Sequence, residues 1–253
     1  MTEKKRITGC IPSRYASTRL PGKPLRDIGG KHMVLHVIEK ARQAKLLEDV
    51  VVLTDDQRIM DTVTNAGFHA VLTSEDCASG TDRIAQYMQQ DTNSDIFVNI
   101  QGDEVLLNPE HIDKLIEDFL NKPGAQMGTL AHTVTDPDSL NDPATVKVVV
   151  NQQGNALYFS RNCIPVTQSG GLPEQAQAHI GVYIYTRETL ELLTKKKQTP
   201  LEMTEKLEQL RALEHGINIS VTTVSHYQSL SVDTENDLRK ARELLGEQGK
   251  DKR

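Results

Sequence analysis

The chain has 253 residues, 37% of them hydrophobic and 25% charged, with a formal net charge of −6. That length can bury a substantial core, while no apolar run approaches the roughly 20 residues of a helical membrane span. The acidic balance, with no tryptophan and few aromatics, excludes an extended nucleic-acid surface but leaves room for a small polyanion held by cations gathered in one cleft.

The charged start, Met1 to Arg6, leads into an apolar strand rather than a leader-type hydrophobic run, so no signal peptide is expected. Strand Ile7 to Ile11 opens the fold. Behind it come Arg14, Arg19 and Lys23, five and four residues apart, with Ser17, Thr18 and Gly22 between them. Pro21 and Pro24 bar a regular helix there. Met33, Val34, Val37, Ile38 and Ala41 then recur at helical spacing. Strand, cationic loop and helix together suit a phosphate, which meets backbone N–H groups and fixed cations where the chain turns. The alternative is a solvated basic loop.

The alternation continues. Val50–Leu53 predicts a strand ending at Thr54 and Asp55, followed by a helix through Ile59, Met60 and Val63 that stops near Gly67. Ala70–Leu72 predicts a short strand, then Ser79-Gly80-Thr81-Asp82-Arg83 and a helix through Met88. Ile96–Ile100 reads as a buried strand ending in Gln101-Gly102-Asp103-Glu104, and a helix begins at Pro109, a favoured first position. Such alternation predicts a parallel sheet flanked by helices, with ligands beyond the carboxyl ends of its strands. From Met127 to Tyr185 strands follow one another with little helix between them (Met127–Thr133, Val146–Val150, Ala156–Phe159, Gly181–Tyr185). Ser169-Gly170-Gly171 and Pro173 mark a surface segment. A helix with Met203, Leu207 and Leu210 on one face, a strand Ile219–Val224 and a closing helix from Thr234 complete the chain. The expectation is one α/β domain, 1–253, with a β-rich insertion over roughly 127–185.

Candidate chemistry sits at the strand ends. Asp103, after a buried strand and a glycine, suits a Mg²⁺ ligand facing the cationic loop; such an acid can equally cap a helix. Asp233 reads as the cap of the last helix or as a second metal-bound carboxylate. Arg83 and Arg161 are candidate anion clamps or ordinary surface ion-pair residues. His179, Glu208 and Gln209 have structural readings of equal simplicity. The spacing of Cys10, Cys77 and Cys163 lacks any CxxC pair, which predicts free thiols in a reducing compartment, the cytoplasm, and no zinc site. The glycine pattern is neither GxGxxG nor GxxxxGK[ST].

In combination and in order, IPSRYASTRLPGKPL (11–25), SGTDR (79–83), NIQGDE (99–104), VKVVVNQQGNALYFSR (146–161), HIGVYIY (179–185) and LEQLR (207–211) resemble the 3-deoxy-manno-octulosonate cytidylyltransferases, the CMP-KDO synthetases. The resemblance implies a nucleotidyltransferase-type, Rossmann-like, mostly parallel sheet flanked by helices, and a homodimer formed through the β-rich insertion. It implies Mg²⁺-dependent transfer of CMP from CTP to a 3-deoxy-octulosonic acid for lipopolysaccharide or capsule assembly, with no nucleic-acid partner.

Carried over by position, Arg14, Arg19 and Lys23 would hold the triphosphate and, with Asp103, form the catalytic set. Asp103 and Asp233 would bind Mg²⁺. Pro12, Ser13, Thr54, Asp55, Ser79, Gly80, Thr81 and Gln101 would meet the nucleotide. Arg83, Arg161, His179, Tyr183, Glu208 and Gln209 would surround the sugar acid. The chain departs from the family pattern at Cys77, where a histidine is common, at Asp82, where glutamate is common, and at Val166-Thr167-Gln168-Ser169. A branch of the family that uses the 8-amino-3,8-dideoxy sugar also carries the SGTDR form. Alternatives are a CMP-sialic acid-type synthetase and a catalytically silent nucleotide-binding scaffold.

Overall fold

A computed structural model describes residues 5–17, 19–225, 227–228 and 230–248. Thr18 of the cationic loop and residues 1–4 of the charged start lie outside the described residues. The chain divides into two compact units, residues 1–113 with 228–253, and residues 114–227.

In the first unit, β1 (Ile7–Pro12) is followed by a 3-10 turn at Lys23–Leu25, the short hairpin β2 (Asp27–Ile28) and β3 (Lys31–His32), and α1 (Met33–Ala41). Then come β4 (Asp49–Thr54), α2 (Gln57–Asn65), β5 (His69–Leu72), α3 (Gly80–Gln90), β6 (Ile96–Asn99) and α4 (Pro109–Leu120), within which the division falls. β1 is central: it pairs in parallel with β4 on one side and β6 on the other, and β4 pairs in parallel with β5. Ile11, Val51, Val52, Leu53, Phe97 and Val98 are fully buried, so these strands read as near-continuous apolar runs. Each such side chain contributes roughly 1.5–3 kcal/mol through burial. Helix α1 buries Met33, Val34, Val37, Ile38 and Ala41, the spacing seen in the sequence.

The second unit contains β7 (Met127–Val134), α5 (Pro137–Asn141), β8 (Lys147–Val150), β9 (Ala156–Ser160), β10 (Ala176–Thr186), α6 (Arg187–Thr194), α7 (Pro200–Glu205), α8 (Gln209–Glu214) and β11 (Ile219–Val224). β7 pairs antiparallel with β10 and parallel with β11, and β8 joins β10 to β9. The chain then returns to the first unit and ends in α9 (Glu235–Gln248). The fold is α/β with a mostly parallel central sheet flanked by helices.

Two expectations are corrected. Residues 200–214 form two helices, because Lys206 adopts a left-handed conformation (φ 55°) between α7 and α8. Met203 is therefore 47% exposed and does not share a face with buried Leu207 and Leu210. The β-rich run holds little helix, as expected: only the five-residue α5 lies within it and α6 follows it, each begun by a capping side chain, Asp136 accepting from the Ser139 N–H and Thr186 from the Thr189 N–H. The last helix is capped by Thr234, not Asp233. Thr234 Oγ1 accepts from the Asp237 N–H, and the Asp237 carboxylate accepts from the Thr234 N–H and hydroxyl.

Candidate nucleotide and metal site

The first unit holds a cleft of about 370 Å³ at the carboxyl ends of β1 and β6 and the start of α3. Its floor is set by one close approach. A Cβ on Gly102 would stand 2.8 Å from both the Pro12 carbonyl oxygen and Ser13 Oγ, so only glycine lets the QGDE turn lie against the end of β1. Ser13 is buried, and its N–H donates to the Leu53 carbonyl at 2.8 Å, which fixes where the cationic loop leaves the sheet. On the other wall, Ser79 caps α3 in a reciprocal box with Asp82. The Asp82 N–H donates to Ser79 Oγ, and the Asp82 carboxylate accepts from the Ser79 N–H. Aspartate at position 82 thus does the work of a capping acid.

Of the loop cations, Arg14 and Arg19 are exposed and Lys23 is largely enclosed, its side chain 17% exposed. The Lys23 ammonium donates to Asp103 Oδ2 at 2.6 Å and to Asp233 Oδ1 at 3.0 Å, and Arg19 pairs with Asp233 Oδ2 at 2.9 Å. Burial alone would lower the Lys23 pKa; the two carboxylates outweigh it and raise it. Backbone contacts bring the acids together: Glu104 bridges Ser231, and the Val232 N–H donates to the Asp103 carbonyl at 3.2 Å.

Two cations and two carboxylates balance in this cluster, which leaves Arg14 as surplus charge. A triphosphate would bring more negative charge than that surplus offsets. Among the described residues no group of three or more His, Cys, Asp or Glu is placed to hold a metal ion. A site for Mg²⁺ does not need one, since this ion takes one or two carboxylates and completes its shell with phosphate oxygens and water. Hard oxygen donors already bridged by one cation fit that group.

Pro12, Ser13, Ser79, Gly80 and Gln101 line the cleft with Arg14, Arg19, Lys23, Asp103 and Asp233. Ser17, Ala78 and Gly102 line it as well. Ser17 and Gly102 lie within the motifs and Ala78 just before one, and no periodicity singles them out. Thr54, Asp55 and Thr81 are not among the lining residues. Asp55 accepts from the Tyr15 N–H and pairs with Arg83 at 3.0 Å. Arg83 reaches the cleft wall but is 3% exposed, and it also donates to the Thr73 hydroxyl. Its charge is therefore already met within the protein. Cys77 lines the cleft with Sγ donating to Gln86 Oε1, and burial raises its pKa, holding it as a thiol.

The remaining candidates lie in the second unit. His179 Nε2 is 2.9 Å from Thr129 Oγ1, and that hydroxyl is 2.8 Å from the Val182 carbonyl, within a register shift of β10. Burial lowers the His179 pKa to about 3, so the ring is neutral. Tyr183 stacks at a tilt on His179, and its hydroxyl donates to Gln209 Oε1 at 3.1 Å. Gln209 is buried, and its Nε2 has no partner. Glu208 is half-buried beside it. Arg161 spends its guanidinium on the carbonyls of Glu205, Pro143 and Lys206. Its own carbonyl accepts from the fully buried Lys147.

A family model described as cytidylyltransferase matches residues 8–219. A 3-deoxy-manno-octulosonate cytidylyltransferase of Trichlorobacter lovleyi is 44% identical over 249 residues, covering 94% of this chain and 98% of the relative. An 8-amino-3,8-dideoxy-manno-octulosonate cytidylyltransferase of Shewanella piezotolerans is 46% identical over 236 residues, covering 92% and 96%. A solved CMP:2-keto-3-deoxy-manno-octonic acid synthetase in complex with CTP superposes with a TM-score of 0.91 at 38% identity, covering 96% of this chain and all of that one. With the cationic strand-end loop, the acid pair and this match over nearly its full length, the chain belongs to the cytidylyltransferase family.

Proposed function

We propose that the enzyme transfers CMP from CTP to the anomeric hydroxyl of a 3-deoxy-octulosonic acid and releases pyrophosphate. The observation that carries this reading is the convergence of Arg14, Arg19, Lys23, Asp103 and Asp233 on the cleft beside the start of α3, in a chain whose relatives are so named. The anomeric oxygen attacks the α-phosphorus as the bond to pyrophosphate breaks, and the hydroxyl proton is released. Such transfer needs little covalent work from the protein; positioning and charge neutralisation dominate. Arg14 and Arg19, being exposed, can turn onto the phosphates, Arg19 by giving up its pair with Asp233, while Ser13 and Gly102 hold the floor against which the nucleotide lies. Asp103 and Asp233 would hold Mg²⁺, which when bound supplies further neutralisation of the departing pyrophosphate.

His179, Tyr183, Glu208 and Gln209 are proposed to meet the sugar acid; His179 is held by Thr129 and stacks on Tyr183, whose hydroxyl meets Gln209. Arg161 and Arg83 support that role indirectly, since their guanidinium groups are engaged within the protein. Use of the product in lipopolysaccharide or capsule assembly, a cytoplasmic setting, and a single catalytic domain that dimerises through residues 127–185 belong to the same proposal. Among the described residues, no helix is long and apolar enough to cross a membrane.

A second reading, the same transfer to the 8-amino-3,8-dideoxy acid, is favoured by the 46% identity to the Shewanella piezotolerans relative. Pyrophosphate release with CTP and Mg²⁺, measured with each acid in turn, tests both. Faster release with one acid assigns the substrate, and no release with either removes the transferase reading.

A further inference from the structure

We infer that Lys23 is a resident counterion of the metal site: it holds Asp103 and Asp233 together in the free enzyme and yields them only when a nucleoside triphosphate offers its ammonium other acceptors. The inference rests on the reading of Asp103 and Asp233 as the metal pair. One ammonium donates to both carboxylates, at 2.6 and 3.0 Å, and the three side chains are only 17%, 20% and 32% exposed. A divalent ion that reached both carboxylates would stand where the ammonium stands, and two positive charges in one half-buried space repel.

Lysine suits this exchange better than arginine. Its ammonium is a point charge on a flexible stem, whereas a guanidinium would lock onto one carboxylate in a planar fork. The anchor is firm at the backbone, because Lys23 opens a 3-10 turn between Gly22, at φ 64°, and Pro24, so the motion falls on the side chain alone. Lys23 also lines the cleft with Arg14 and Ser13, so phosphate oxygens seated there are within the sweep of its stem. Nucleotide therefore draws the ammonium off the carboxylates as metal takes its place. By reciprocity each ligand strengthens the hold on the other. Metal alone meets a site that is already neutralised.

The test is Mn²⁺ titration of the full chain without nucleotide, the unbound ion read by electron paramagnetic resonance. Lys23→Met is expected to bind Mn²⁺ at least tenfold more tightly than the native chain, and Lys23→Arg, which keeps the charge, to remain as weak as native. Equal or weaker binding by Lys23→Met overturns the inference and leaves the metal reading standing. No binding by native or variant removes both. Should Lys23→Met fail to fold, lysine-labelled native protein supplies the readout: a slowly exchanging Lys23 ammonium resonance, assigned by its loss in Lys23→Arg. It is expected in the free enzyme and lost on adding Mg²⁺ with a non-hydrolysable CTP analogue. Its absence from the free enzyme, or its persistence with both ligands, overturns the inference.

Discussion

Replacing Asp103 with asparagine keeps the side chain's volume and removes the charge that Lys23 meets at 2.6 Å. A neutral amide is a poor ligand for Mg²⁺, so turnover should fall at least a hundredfold, while circular dichroism and the unfolding temperature stay near native; full activity at ordinary Mg²⁺ would take Asp103 out of the reaction. His179 makes a prediction of a different kind. Its folded pKa, about 3, lies below the ordinary 6.5 because burial opposes the charged ring. Between those values the unfolded chain binds a proton that the folded one refuses, so this residue's contribution to stability is full above about pH 6.5 and is lost as the pH falls. At pH 5 the loss amounts to about 2 kcal/mol. Denaturant unfolding at pH 7 and pH 5 should show this drop in the native chain and a smaller one in His179→Gln; equal drops would mean the ring charges without penalty. The loop cations and Asp103 were legible in the sequence, because polar residues clustered at the end of an apolar strand can only face the ligand side of a parallel sheet. The pairing of Asp103 with Asp233 was legible only through the family resemblance; the residue pattern alone leaves Asp233 as readily a helix cap, since the pairing depends on the Glu104–Ser231 bridge between distant segments. For the same reason the residue pattern leaves Arg83 open between an anion clamp and an ordinary surface ion-pair residue: its partner, Asp55, belongs to another strand end.

The break between α7 and α8 shows how an element can mislead by its apolar spacing. Leu207 and Leu210 are buried as the pattern requires, but Met203 is not, because Lys206 turns the backbone left-handed just before them. What holds the two short helices together is an ion pair. Arg211 meets Glu202 through Nε at 2.8 Å and a second nitrogen at 2.5 Å, and Glu202 also accepts from the Thr199 N–H. Both side chains are nearly enclosed, 11% and 5% exposed. Removing Arg211 alone strands a buried carboxylate, at a cost of about 3–5 kcal/mol. Arg211→Leu should therefore lower stability by that much in urea unfolding, and Arg211→Leu with Glu202→Met should recover most of it. A double variant as unstable as the single one would show that packing, not the unpaired charge, sets the cost. The strands were read more faithfully than the helices here, because burial leaves a continuous apolar run in β4 and β6 whatever their neighbours, whereas a helix boundary at Lys206 depends on one residue's φ.

The largest-scale expectation is a homodimer built on the β-rich segment. The compact second unit is broader than residues 127–185, taking in residues 114–227, because β11 pairs with β7 across the intervening chain; no linker composition in the sequence announces that return. Within it, the paired strands β8 and β9 leave Val150 and Leu157 to solvent at 40% and 60% exposure, with Val166 at 57% shortly beyond. A lone exposed leucine is ordinary, but a β-branched residue and a leucine on adjoining strands form an apolar start for an interface whose core would exclude charge. Net charge of −6 per chain opposes association weakly at physiological salt, where screening confines it to about 8 Å. Sedimentation of the native chain at micromolar concentration should therefore give twice the monomer mass. Leu157→Glu should shift it toward monomer, since an uncompensated carboxylate would have to be desolvated on every closure, while the unfolding curve of the isolated chain stays within about 0.5 kcal/mol, as expected of a surface change. A native monomer would end the dimer proposal; a Leu157→Glu dimer as tight as native would keep the dimer and move its interface off this strand pair.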